Sequence, residues 1–230
     1  MHQRLKRILI GVIAGMAALV GGFWILIHTV GEREPRFEGQ RLEYWQAQLE
    51  SRDTGASNTA KAIVQSRVIP RLSDIMFHDT KDSKLRLAVI EELNKLPGVM
   101  IYYTPAEGRR AQAAGSLAAF GPSAQVAIPD LIRVIKSKDE AVRVAAVSAL
   151  GPIRGQPETV IPLLISCLGD PQDGVPVAAV ESLGYFGAGS RPAWPKLVPL
   201  LKVRDKELLR ALKTSLRQID PEEAAKLGIK

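Results

Sequence analysis

The chain has 230 residues, 46% hydrophobic but only 5% aromatic, with one cysteine and a formal net charge of +7. So few aromatics argue against a β-sandwich or barrel core, and a single cysteine excludes an internal disulfide framework. The charge is too mild for a polyanion binder, because Arg4, Lys6 and Arg7 supply three of the seven and leave +4 for residues 8–230.

Residues 1–7 form a basic flank to the 23 uncharged residues from Ile8 to Val30. As a helix this run would measure about 35 Å, enough to cross a bilayer core. Positive charge before it and mixed charge after it predict a single-pass membrane anchor, with the amino terminus in the cytoplasm and the rest extracytoplasmic. The run is longer than the apolar region of a signal peptide and lacks an Ala-x-Ala ending, which favours an uncleaved anchor over a leader. Gly11 and Gly15 make a G-x-x-x-G step that permits homodimeric pairing of such spans.

Residues 31–40, with Gly31, Pro35 and Gly39 among charges, read as a tether to a domain over 41–219. Leu42, Trp45, Gln46 and Leu49 share one face of a helix predicted over 41–51, and a second helix over 57–68 completes an amino-terminal cap, with Tyr44 and Trp45 covering its end. Ile69-Pro70-Arg71-Leu72 opens the next helix, followed by Leu85 to Leu93 as its partner.

Beyond Gly121 the chain repeats. Ile128-Pro129, Ile161-Pro162 and Trp194-Pro195 are 33 residues apart, as are Ala145, Ala178 and Ala211, and Leu150, Leu183 and Leu216. A period of this size without strand-like alternation predicts stacked helix pairs. In the clearest unit Pro129 opens a first helix striped by Leu131, Val134 and Ile135, Lys138-Asp139 makes the turn, and Val142 to Leu150 forms the second helix. Between Leu96 and Phe120 the period falls to 24 residues. Either a short helix Val99–Tyr103 stands in for a first helix, or 97–107 is an irregular connection. Tyr102 and Tyr103 then either fill the gap or stand exposed at a bend as a partner anchor.

A proline-led first helix, Asp in the turn and V-R-x-A-A-x-x-A-L in the second helix resemble the HEAT repeat family, and Leu85 to Leu93 is similar to the same pattern. Residues 39–49 resemble the start of membrane-anchored bacterial HEAT proteins of the PBS lyase HEAT-like type. The resemblance covers about residues 39–219. It implies an all-α, α-α superhelical solenoid of about five to six helix pairs after the transmembrane helix, and a scaffold or adaptor that binds a protein partner on its concave face. It also implies a ladder of turn Asp and following Arg, here Asp82 with Arg86 and Asp139 with Arg143. Pro176 and Leu209 stand where the next two arginines would be, so the ladder breaks.

The last repeat is lopsided, with eight basic and two acidic residues between Arg191 and Arg217. Lys206, Arg210, Lys213 and Arg217 follow an i, i+4, i+7, i+11 series on one helix face, and the resemblance implies that this stripe lines the concave surface. An acidic protein partner fits it, and anionic headgroups or phosphates share the chemistry. Nucleic acid is the weakest partner, since no aromatics interleave the stripe. His2, His28 and His78 cannot converge on a metal, and no nucleophile and base are paired, so neither cofactor nor catalysis is expected. A HEAT-like enzyme related to bilin lyases and a spacer without a specific partner are the competing readings. Cys167 reads as a buried small hydrophobe, and Asp220, Pro221 and Gly228 frame a short closing helix within a cap at 220–230.

Overall fold

The computed structural model describes residues 36–172 and 174–229. The basic flank, the span 8–30 with Gly11 and Gly15, and residues 31–35 of the tether lie outside the described residues. Among the described residues no helix is long and apolar enough to cross a membrane. The chain divides into two units, one containing Lys81–Pro105 and the other Pro35–Thr80 with Ala106–Lys230.

The larger unit begins at the end of the expected tether. Residues 37–40 form a tight turn with positive φ at Glu38 and Gly39. Phe37 is buried, and its carbonyl accepts a hydrogen bond from Trp45 Nε1 at 3.0 Å. Trp45 lies on α1 (Leu42–Leu49) and is buried, whereas Tyr44 stays exposed and meets the Trp45 ring edge-on. Asp53 then caps α2 (Thr54–Ile63) through the amides of Gly55 and Ala56. The expected break before Pro70 does not occur. A π turn over Val64–Val68 carries the helix directly into α3 (Ile69–His78), with the Ile69 amide bonding back to the Val64 carbonyl. A proline ring clashes with the carbonyl four residues back, and the wider turn just before it makes room.

The partner of α3 is α5 (Ala106–Ala118), not the segment Leu85–Leu93. Ile128 and Arg143 are 15 residues apart in the regular unit, but Ile69 and the equivalent Arg110 are 41 apart, so one helix pair contains an insertion of 26 residues. The short interval that read as missing residues is this insertion counted in the wrong register. Within it, the smaller unit holds α4 (Lys84–Asn94), capped by Ser83, and a return segment without a helix. Asn94 clamps that return by bonding both the amide and the carbonyl of Ile101.

From α5 onward the period is strict. A 3₁₀ turn Gly121–Ala127 leads to α6 (Ile128–Val134), paired with α7 (Glu140–Ile153). Next, α8 (Pro157–Cys167) pairs with α9 (Gly174–Tyr185). Pro157 opens α8 a turn earlier than expected, so Pro162 lies inside it. A second 3₁₀ turn, Gly187–Ala193, leads to the short α10 (Trp194–Leu197), and α11 (Lys206–Ile219) follows, capped by Asp205. The closing helix α12 (Pro221–Lys226) is capped by Asp220 through the Glu223 amide, as expected, and Ile229 folds back into the core. The described residues thus contain five helix pairs.

Leu117, Leu150, Leu183 and Leu216, one per second helix, are all at most 1% exposed and define the core line. The second helices α5, α7, α9 and α11 pack each on the next. Small residues permit this closeness: a Cβ on Gly151 would lie 2.9 Å from Ser182 Cα, and one on Gly184 would lie 2.8 Å from Ser215 Oγ. Ser182, buried at the first of these crossings, donates to the Val147 carbonyl at 2.8 Å.

Candidate partner-binding face

Charge inside the array is used for structure. Arg110, near the start of α5, reaches the turn of the following repeat and pairs with Asp139 at 2.6 Å while its Nε donates to the Met76 carbonyl. Arg143 repeats the arrangement on α7. It makes two 3.2 Å contacts with Asp170 and donates to the carbonyls of Ser137 and Lys138. Arg109 grips Asp79 in a fork. The ladder that the resemblance implied therefore runs between repeats, with each arginine held by the aspartate of the next turn, and Arg110 is the member that the sequence reading missed. Asp139 makes no cap bond to α7, its carboxylate being committed to Arg110.

Partial burial pushes the Asp170 carboxyl up, but the Gln172 amide and the Arg143 guanidinium outweigh it and hold it below the usual carboxylate range. Burial pushes the nearby Cys167 thiol above its ordinary value, in keeping with a packed, unreactive side chain. His78 sits 2.9 Å from Asp74 on the same exposed helix face, and Asp79 belongs to Arg109. Among the described residues no group of three or more His, Cys, Asp or Glu side chains could hold a metal ion.

The two tyrosines of the insertion have separate fates. Tyr103 donates its hydroxyl to Asp82 and lies under the Arg86 guanidinium, 5.2 Å from ring centre, so it staples the return segment to α4. Tyr102 is 76% exposed beside Met100, and its hydroxyl meets the Met100 sulfur. Of the pair, Tyr102 is the exposed one.

Lys206, Arg210, Lys213 and Arg217 are all exposed on α11, as the helical spacing predicted. Their direction differs from the expected concave lining. One repeat earlier, Val177, Val180 and Gly184 match Arg210, Lys213 and Arg217, and two repeats earlier Glu140, Val144, Val147 and Gly151 match all four. Those earlier positions face the following helix. Val147 and Val180 are fully buried, and positions Glu140 and Val144 lie against Gly174 at the start of α9. Gly151 meets Ser182 and Tyr185. The stripe accordingly occupies the end of the array, where a further repeat would pack.

Only Arg210 also reaches the open face of the second helices. There a groove of about 310 Å³ between α9 and α11 is lined by Glu181, Tyr185, Arg210, Thr214 and Gln218, with Ala211 and Ser215 at its floor. Tyr185 is 52% exposed. Glu181 and Tyr185 escaped the sequence reading because neither belongs to a charge series or a repeat consensus. Their spacing of four on a second helix was the available signal.

Residues 104–184 match the model of the HEAT repeats, spanning α5 to α9. Among solved structures, the complex of CpcE and CpcF of phycocyanin lyase from Nostoc sp. PCC7120 is similar at a TM-score of 0.52 and 21% identity, covering 85% of this chain and 70% of that one. An engineered protein is similar at a TM-score of 0.43 and 19% identity, covering 82% and 86%. No curated protein matches the sequence. The fold is an all-α HEAT-like solenoid.

Proposed function

We propose that this chain is a membrane-tethered adaptor that holds a protein partner along the open face of its second helices and does no chemistry of its own. The observation that carries the reading is the unbroken row α5, α7, α9 and α11, with its groove beside Glu181, Tyr185 and Arg210. Such a row presents side chains from consecutive repeats in fixed register, so affinity comes from surface complementarity. The anchor is the uncharged run 8–30, which the positive-inside rule orients with the repeats outside the cytoplasmic membrane. The similar Nostoc fold occurs in a complex of two proteins, a precedent for partnership that 21% identity does not transfer.

Photo-crosslinking in cells tests the reading. A photoreactive residue at Ser148, Glu181 or Thr214 on the open face should capture a discrete protein, whereas one at Arg133 or Glu158 on first helices should not. Capture from the first helices alone would overturn the assignment. Protease added to spheroplasts should digest the repeats, and full protection would overturn the orientation.

A further inference from the structure

We infer that the carboxyl-terminal end of the array, the face of α11 bearing Lys206, Arg210, Lys213 and Arg217, is a docking surface for an acidic helix of a protein partner, which packs where the next repeat would lie. The inference rests on the protein-binding reading but uses a different face of α11, which shares only Arg210 with the groove.

Three observations combine. First, the four positions are in the register that receives a helix in the repeats before: the equivalents Glu140, Val144, Val147 and Gly151 on α7 lie against α9, and Gly184 on α9 lies against α11. Second, the charges are of one sign, and no carboxylate among the described residues lies within ion-pair distance of Lys206, Arg210 or Lys213. The arginines at the repeat junctions are matched instead, as in Arg110 with Asp139 and Arg143 with Asp170. An end cap needs only to be polar, and like charges four apart on a helix repel. Mixed signs would cap the array without that repulsion, so a uniform stripe is explained by a ligand of opposite charge. Third, α11 exposes no large apolar side chain that could enter a lipid interface. That favours a protein over a membrane surface, because interfacial binding combines basic residues with buried apolar ones. A helix with carboxylates at i, i+4 and i+7 would match Lys206, Arg210 and Lys213 one for one, and a fourth at i+11 would stand opposite Arg217.

The test uses the full chain in zwitterionic micelles and a fluorescent, Ala-rich 21-residue helical peptide with glutamates at that spacing. Its lysine twin, phosphatidylglycerol vesicles and a single-stranded oligonucleotide serve as separate arms. The glutamate peptide should bind and the lysine twin should not. Lys213→Glu/Arg217→Glu should weaken binding by about ten-fold or more, and reversal of all four charges should transfer binding to the lysine peptide. Glu158→Ala, on the first helix α8, should leave it unchanged, and circular dichroism with thermal unfolding verifies that each variant is folded. Failure of the glutamate peptide to bind, or binding indifferent to residues 213 and 217, would overturn the inference while leaving the open-face crosslinks untouched. Vesicles or oligonucleotide binding through 213 and 217 in preference to the peptide would overturn it in favour of those polyanions.

Discussion

Arg110 and Arg143, in the middle of the array, differ from Lys213 and Arg217 at its end in what their neighbours supply. The first pair are largely buried, at 15% and 12% side-chain exposure, and each is met by an aspartate from the following turn. The second pair stand at positions that the two preceding repeats fill with valine and glycine, and both are exposed. The same residue types are thus fasteners at the repeat junctions and an exposed surface on α11. A basic residue in a solenoid has to be read by its register in the repeat before its charge is read as a site.

The largest expected effect comes from making the end resemble the middle. Lys213→Val/Arg217→Gly restores the side chains that receive a helix in earlier repeats and leaves an apolar strip without a cover. Sedimentation velocity in micelles should show self-association beyond that of the parent chain. Unchanged sedimentation would mean that the end face is not in the packing register.

Disarming the middle comes next. Arg143→Ala leaves Asp170 and two turn carbonyls without their donor, and removing one partner of a partly buried, hydrogen-bonded pair costs about 2 kcal/mol. Urea unfolding should register that loss, whereas Lys206→Ala should stay within about 0.5 kcal/mol of the parent. Equal effects would erase the distinction between fastener and surface.

The same pair has a pH signature. The folded-state pKa of Asp170 is depressed, so its contribution is fully present above the unfolded value of about 3.9 and is lost as pH falls through the folded value. Unfolding midpoints measured from pH 7 to pH 2 should fall at the acid end by more in the parent than in Asp170→Asn. Parallel curves would remove Asp170 from the acid response.

Much of the fold was legible because its period is long and its buried residues obey it. Leu150, Leu183 and Leu216 marked the second helices, and Asp220-Pro221 marked the closing cap. Leu85 to Leu93 misled because it carries the consensus pattern on an inserted helix, and local pattern does not reveal which helix buries its face against α3. The ladder partners were obscured for the same reason, since Arg110 stands just after the insertion and its acid lies 29 residues on. The stripe was found from helical spacing, but its direction required comparing Lys213 with Val180 and Val147, a comparison of repeats and not of neighbours. The groove at Glu181 and Tyr185 depends on how two helices sit together, which no single-helix pattern encodes.

The smallest effect concerns a position where the middle departs from its neighbours. Gly121, Arg154 and Gly187 stand at 33-residue intervals just past the second helices, with φ of 49°, 50° and 53°. Left-handed backbone is nearly free for glycine but strained for arginine, whose Cβ crowds the neighbouring carbonyl. Arg154 is exposed and closes α7 with its amide bonded to the Leu150 carbonyl, a bond that glycine keeps. Arg154→Gly should therefore stabilise the chain by about 0.5 to 1 kcal/mol, the relief of strain exceeding the added freedom of the unfolded backbone. The reverse change, Gly187→Arg, should destabilise by a similar amount. If both substitutions lowered the urea midpoint, Arg154 would be held by side-chain contacts worth more than the strain, and the three repeats would not share one cap.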